Sequence, residues 1–189
     1  MANFLYCPVQ DIREWRAYLN FVCTYFRNAG IKNPVVVEIG VKEGFQKRLY
    51  ERAGFTYIGI DIDPMCKPDI LGDSGKYATV VALREKLAGK QADIIFIDGD
   101  HSYESAKRDY TLFAPMAKSM IAFHDVIAYP YGVGRLWNEL IMENMERNDR
   151  TFITIQAWHS YLGKPAHMGT GIILIENQED NEADWFVAD

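Results

Sequence analysis

Residues Pro34–Gly44 read PVVVEIGVKEG. The run from Val35 to Ile39 is β-branched and nearly uniformly apolar, so it reads as a strand covered on both faces, the habit of a parallel sheet. Gly40 and Gly44 then let the backbone turn tightly and approach a ligand with no side chain in the way. Helical periodicity follows from Phe45 to Ala53, and Gly54 is a natural stop. A buried strand, a glycine turn and a helix form the repeating element of an α/β sheet, and the rest of the chain continues the alternation.

Downstream, Tyr57–Ile62 (YIGIDI), a short run at Ile70–Leu71, Ala92–Asp98 (ADIIFID) and Met120–Asp125 (MIAFHD) read as further strands. Helical stretches at Lys76–Ala88, Tyr103–Met116 and Val133–Arg147 alternate with them. Thr151–Ala157 and Gly171–Glu176 are the last strands, and with no helix between them they are expected to be antiparallel. Upstream, Asp11 and Glu14 have capping-box spacing, and Ile12, Trp15, Leu19, Val22 and Phe26 recur at steps of three and four, which predicts a helix that stops near Gly30. The pattern predicts a Rossmann-like, three-layer α/β sandwich with a mostly parallel sheet and an antiparallel C-terminal strand. It is read as one domain over residues 1–189, with 1–30 as an N-terminal helical segment.

Composition narrows the function classes. With 49% hydrophobic and 24% charged residues the chain has the mix of a folded globular protein, which excludes disorder as its main state. A net charge of −6 weighs against a nucleic-acid partner, because phosphate contacts need a basic face. No window approaches the roughly 18 uninterrupted apolar residues of a membrane span, and Met1–Gln10 lacks the features of a signal peptide, so a cytoplasmic protein without a membrane partner is expected. Cys7, Cys23 and Cys66 show no metal-ligand spacing and read as small packed side chains.

In a doubly wound sheet, ligands bind beyond the carboxyl ends of the strands, so functional residues should follow each strand. The first strand leads into the Glu38–Gly44 turn, and the second ends at Asp61, where an acid can accept from both hydroxyls of a ribose. Asp63 reads as a solvent-facing loop acid, and Asp73, after the third strand, can read an exocyclic adenine amine. The dinucleotide pattern GxGxxG is absent, with Lys42 standing at its second glycine, and Glu38 and Glu43 would repel a pyrophosphate. A ligand with a cationic end fits better, which points to S-adenosyl-L-methionine rather than NAD. The fourth strand ends in Asp98-Gly99-Asp100-His101 and the fifth in His124-Asp125. Oxygen ligands beside an imidazole suit Mg²⁺ or Mn²⁺, or Fe²⁺ where a histidine binds. Asp100 or Ser102 can also simply cap the following helix.

Glu38-x-Gly40-x-x-x-Gly44, Asp61, Gly72-Asp73, Phe96–Glu104 (FIDGDHSYE) and Phe123-His124-Asp125-Val126 together resemble class I S-adenosylmethionine-dependent methyltransferases. The subgroup most similar is that of small-molecule O-methyltransferases, including macrolide-sugar methyltransferases and cephalosporin-hydroxylase-like proteins. The resemblance runs from about Val35 to Ile175. It implies that the cofactor's amino-acid end lies along Glu38, Gly40 and Gly44, that Asp61 holds the ribose, and that Asp73 lies by the adenine, with Asp98 also beside the cofactor. It also implies a metal at Asp98, His124 and Asp125, His124 standing where catechol-type relatives carry a second acid. The paired prolines of base-modifying amino-methyltransferases do not follow the fourth strand.

The implied reaction is methyl transfer to a hydroxyl of a small molecule, assisted by a divalent metal. His101 is the first choice as general base, since an imidazole titrates near neutrality, and His124 is either a third ligand or the base. Two other classes stay open: a binding protein that keeps the cofactor pocket without turnover, and an oxygenase-type enzyme at a His/carboxylate iron site. His159 and His167, with Trp158, Tyr161 and Met168, either wall the acceptor pocket or are exposed loop residues. The aromatic stripe Trp15, Tyr18, Tyr25 and Phe26 reads first as packing, with a dimer surface or a lid as the alternatives. Homo-oligomerisation stays open.

Overall fold

Strand β1 (Val35–Ile39) lies within a seven-stranded sheet with β2 (Thr56–Asp61), β3 (Ile70–Leu71), β4 (Ala92–Ile97), β5 (Ala117–Phe123), β6 (Arg150–Ile155) and β9 (Thr170–Ile175), in the order β3-β2-β1-β4-β5-β9-β6. The structure is a computed structural model that describes residues 12–147, 149–156, 159–161, 164–166 and 168–175. The first five strands are parallel, and β9 pairs antiparallel with both β5 and β6. That is the predicted three-layer α/β sandwich with its antiparallel C-terminal strand. A separate hairpin, β7 (His159–Tyr161) with β8 (Lys164–Ala166), interrupts the stretch between β6 and β9 and was not foreseen.

Five helices cover the sheet: α1 (Ile12–Asn28), α2 (Phe45–Arg52), α3 (Tyr77–Lys86), α4 (Tyr103–Phe113) and α5 (Val133–Arg147). Successive residues of a strand point to opposite faces, and the two cores follow that alternation. Val37, Ile39, Ile95, Ile97, Ile121 and Phe123 face α3, α4 and α5, packing with Leu83, Phe113, Leu136 and Trp137. Val36, Ile94, Phe96, Met120 and Ala122 face α1 and α2. The α1 stripe is packing on this side: Trp15, Tyr18 and Phe26 are buried, and the Trp15 ring lies 5.2 Å from Phe96 and edge-on to Tyr18 at 5.4 Å. Tyr25 is half-buried against the same cluster. Asp11, half of the expected capping box, lies outside the described residues, as does Cys7. Cys23 and Cys66 are free and half-buried. Among the described residues no helix is long and apolar enough to cross a membrane.

The glycine turn after β1 is a packing requirement as well as an opening. Gly40 sits at φ +91, and a Cβ there would lie 2.2 Å from the Asp98 carbonyl oxygen on the neighbouring strand. Left-handed strain and a backbone clash act together, so Gly40→Ala is expected to lower stability by roughly 2–4 kcal/mol in urea unfolding. A loss of less than about 1 kcal/mol would mean that the β1 and β4 ends separate easily.

Candidate active site

Register brings the strand ends together. Ile39 pairs with Ile97, and Ile97 with Phe123, so Gly40, Asp98 and His124 are the next residues on three adjacent strands. Hydrogen bonding runs one residue past each strand: the Asp98 N–H donates to the Ile39 carbonyl at 2.8 Å and the His124 N–H to the Ile97 carbonyl at 3.1 Å. Parity turns Glu38 and His124 to the face under α1 and α2, where Trp15 stacks on the His124 ring at 5.9 Å and 27°.

Four side chains close on one point. His101 Nε2 is 3.5 Å from Asp98 Oδ1 and 3.4 Å from Asp125 Oδ2. His124 Nδ1 is 3.2 Å from Asp98 Oδ1 and 3.3 Å from Asp125 Oδ1. Both carboxylate side chains are 9% exposed and His124 only 3%, whereas His101 keeps 28% and faces outward. Burial by itself would raise the Asp98 carboxyl, but the His124 and His101 imidazoles beside it hold it below the usual carboxylate range. The same pairing, against the opposing effect of burial, raises His101 above its ordinary value and His124 well above it. Gln46 on α2 donates from Nε2 to the remaining Asp98 oxygen at 3.4 Å. Asp125 is held at φ +59, a left-handed conformation that non-glycine residues keep where surrounding structure fixes it.

A cavity of about 670 Å³ opens from this cluster across the ends of β4, β1, β2 and β3. That volume is in the range of small-molecule and cofactor sites. Asp61, Asp63, Asp73, Asp98, Asp100 and Asp125 line it against Lys42 and Arg108, so its field favours a cationic ligand over a phosphate. Asp61 also organises the glycine turn: Oδ2 accepts from the Val41 and Lys42 N–H groups at 2.8 and 3.1 Å, and Oδ1 from Asp63 N–H at 2.8 Å. A carboxylate accepts about four hydrogen bonds, which leaves capacity toward the cavity. Asp73 Oδ1 accepts from Gly75 N–H at 2.8 Å in a local turn, and Arg108 lies over Gly75.

Residues 37–126 match the protein family described as a methyltransferase domain. The match covers just under half of the chain. The fold is shared with solved methyltransferases at low identity. A putative caffeoyl-CoA O-methyltransferase from Staphylococcus aureus superposes at TM-score 0.60 with 14% identity over 89% of this chain and 86% of that one. MycE methyltransferase from the mycinamycin biosynthetic pathway, in complex with Mg and S-adenosylhomocysteine, gives TM-score 0.58 with 17% identity over 88% of this chain. The chain spans only 52% of the length of MycE. The O-methyltransferase from Bacillus cereus, in complex with S-adenosylhomocysteine, gives 0.56 with 13% identity over 85% of this chain and 81% of that one. No curated protein sequence matches the chain.

Within the matched stretch, the expected residues divide by position. Gly40, Asp61, Asp73, Asp98, His101, His124 and Asp125 line the cavity, whereas Glu38 and Gly44 do not. Gly44, at φ +64, instead begins α2. Asp98, His101 and Asp125 form a group whose ligand atoms lie within 4.8 Å of one another, and His124 stands behind its two carboxylates. Ser102 caps α4 by accepting from Ser105 N–H at 3.4 Å, and Asp100 Oδ1 accepts from Ser102 N–H at 3.1 Å, so Asp100 shapes the helix start while also lining the cavity. His167 and Trp158 lie outside the described residues, and of His159 and Tyr161 only the backbone, on β7, is described. Four contributors escaped the sequence reading: Glu14, Gln46, Arg108 and Tyr129, whose ring lies 4.4 Å from that of His101. Glu14 was legible in part, because it falls on the same helical face as Trp15, Tyr18 and Val22.

Glu38 is fully buried beside Tyr57, whose hydroxyl donates to Oε2. Burial raises the Glu38 carboxyl well above its ordinary value of 4.5 despite that hydrogen bond. A group that holds its proton more tightly when folded stabilises fully below its unfolded pKa and loses that contribution as pH rises toward the folded one. Glu38→Gln removes this titration. In urea unfolding, the variant is therefore expected to gain stability relative to the wild type between pH 4.5 and pH 8. A pH-independent difference would mean that Glu38 is ionised in the folded protein.

Proposed function

We propose that the protein transfers a methyl group from S-adenosylmethionine to a hydroxyl of a small molecule, with His101 as the proton acceptor. The observation that carries the assignment is His101 Nε2 itself. It is buried, makes no hydrogen bond among the described residues, and sits at the cavity between the carboxylates of Asp98 and Asp125. The acidic lining supports a cofactor with ammonium and sulfonium charges, and Gly40 lies at the cavity's edge. Asp61 and Asp73 are assigned to the ribose and the adenine, on the strength of their places along the cavity.

Transfer is an in-line displacement. The acceptor oxygen forms a bond to the methyl carbon, the carbon–sulfur bond breaks, and its electron pair returns to sulfur, leaving a neutral thioether. The chain's task is mainly alignment, since the sulfonium already activates the carbon. The hydroxyl proton passes to His101 Nε2, and Asp98 and Asp125 stabilise the resulting imidazolium. The exposed Tyr129 ring, against His101, offers an apolar surface on the acceptor side.

The same donors fit a divalent cation such as Mg²⁺ or Mn²⁺, because two carboxylates and an imidazole present atoms within 4.8 Å and Asp125 Oδ1 and His101 Nε2 lack hydrogen-bond partners among the described residues. Asp98 and Asp125 are the residues that would hold it, and it would supply Lewis acidity toward the acceptor hydroxyl. His124 Nδ1 lies 3.2 Å from an Asp98 oxygen and 3.3 Å from an Asp125 oxygen, and we assign it to orienting the two carboxylates.

Calorimetric titration of metal-stripped protein with S-adenosylhomocysteine tests the cofactor reading, with NADH as the control. Binding of the first alone is expected, and binding of neither compound sinks the assignment. With an acceptor found from a panel of small hydroxyl compounds, His101→Ala and Asp98→Asn are each expected to lower kcat by about 10²–10⁴-fold. Both should leave S-adenosylhomocysteine affinity within about threefold, because the cofactor is assigned to the side of the cavity lined by Gly40, Asp61 and Asp73. Equal loss of cofactor binding would mean that the cavity is not divided into cofactor and acceptor sides.

A further inference from the structure

Glu14 is 1% exposed on α1, and its carboxylate is engaged by the start of β9: Oε2 accepts from the Gly169 N–H at 3.1 Å and Oε1 from the Thr170 hydroxyl at 2.5 Å. That junction in turn holds the loop that leaves Asp125. The Val126 N–H donates to the Gly169 carbonyl at 3.0 Å, and the Ile127 and Ala128 N–H groups donate to the Met168 carbonyl at 2.9 and 3.1 Å. On the other side of Asp125, the His124 N–H is tied to the Ile97 carbonyl at 3.1 Å. The left-handed Asp125 is thus fixed from both directions, by β4 before it and by the Glu14-anchored segment after it. There is little slack, since a Cβ on Gly169 would lie 2.2 Å from Ile127 Cγ1. Glu14 also faces the imidazole that spans the two carboxylates: its Oε1 lies 4.0 Å from His124 Nε2, which has no hydrogen-bond partner among the described residues.

We propose that Glu14 is a positioning residue of the cation site, bracing Asp125 through Gly169 and Thr170 and backing the His124 imidazole, so that Asp98 and Asp125 keep the spacing a divalent ion needs. The proposal rests on the reading that these two carboxylates hold such an ion. It makes α1, which lies outside the stretch matched by the methyltransferase family, a working part of the reaction centre.

The test is calorimetric titration of the full chain with Mn²⁺ at saturating S-adenosylhomocysteine, alongside S-adenosylhomocysteine affinity and thermal midpoint. Glu14→Ala is expected to weaken Mn²⁺ at least tenfold while leaving S-adenosylhomocysteine within twofold. Glu14→Gln, whose amide keeps an acceptor for Gly169 N–H and a donor for the Thr170 oxygen, should bind Mn²⁺ within threefold of the wild type. Thr170→Val, which removes only one of the two anchoring contacts, should weaken Mn²⁺ at least threefold. A folded Glu14→Ala protein with wild-type Mn²⁺ affinity overturns the proposal, and so does a parallel loss of S-adenosylhomocysteine, which would mark Glu14 as a general structural residue. If Glu14→Ala does not fold, wild-type Mn²⁺ affinity in Thr170→Val overturns it instead. A wild-type protein that binds S-adenosylhomocysteine and no Mn²⁺ removes the cation reading beneath it, a different failure from that of the brace.

Discussion

Two carboxylates placed side by side out of water need positive charge between them, and much of the architecture around this sheet edge meets that need. Asp98 and Asp125 have side chains only 9% exposed, and each is within 3.5 Å of both imidazoles. A buried pair of like charges without such partners would take up a proton instead. The site therefore has a built-in place for cationic character, whether on an imidazolium or on a divalent ion. The surrounding elements secure it: α2 through Gln46, α1 through Trp15 stacked on His124, and β9 through the segment beside Asp125. An enzyme that must take a proton from a hydroxyl uses such an arrangement well, since the field that favours cationic groups also stabilises the imidazolium once it forms.

Electrostatics also separates two acids that lie beside the glycine turn in the fold, Glu38 and Asp61. Glu38 lies inside the layer under α1 and α2, where burial raises its carboxyl well above the ordinary range and the Tyr57 hydroxyl donates to it. Asp61, at the cavity wall, takes three backbone N–H groups and so shapes the loop while facing the ligand space. The acidic lining of the cavity therefore comes from Asp61, Asp63, Asp73 and the β4–β5 carboxylates, and Glu38 lies outside it.

The fold was legible because parallel strands buried on both faces leave uninterrupted apolar runs, and PVVVEIG and ADIIFID are such runs. The edge that carries the chemistry followed from topology, which is why Gly40, Asp61, Asp73, Asp98, His101, His124 and Asp125 all line one cavity. Depth within the site was not legible in the same way. Glu38 and His124 each end a run that alternates faces, yet which face receives a helix depends on connections far along the chain. Whether His101 or His124 stands nearer the solvent is likewise set by where the loop after β4 turns back, with the Val133 N–H donating to the His101 carbonyl at 2.9 Å. Spacing to Asp11 is local information and marks Glu14 as a capping residue, whereas its partners lie 155 and 156 residues away.

That distance bears on how the domain works. The family match covers residues 37–126 and so contains Gly40, Asp61, Asp98, His101, His124 and Asp125. Yet the backbone that holds Asp125 in its left-handed conformation is completed by Met168 and Gly169, and Gly169 is in turn anchored by Glu14. Strain at a functional residue persists only where surrounding structure over-determines it. Here that structure comes from both outlying parts of the described chain, joined across the sheet by one buried carboxylate. A fragment limited to the matched stretch would carry Asp98, His101, His124 and Asp125 and lack the contacts that set their geometry. Motif content and site geometry are therefore separable in this domain, and it is the packing of α1 against β9 that connects them.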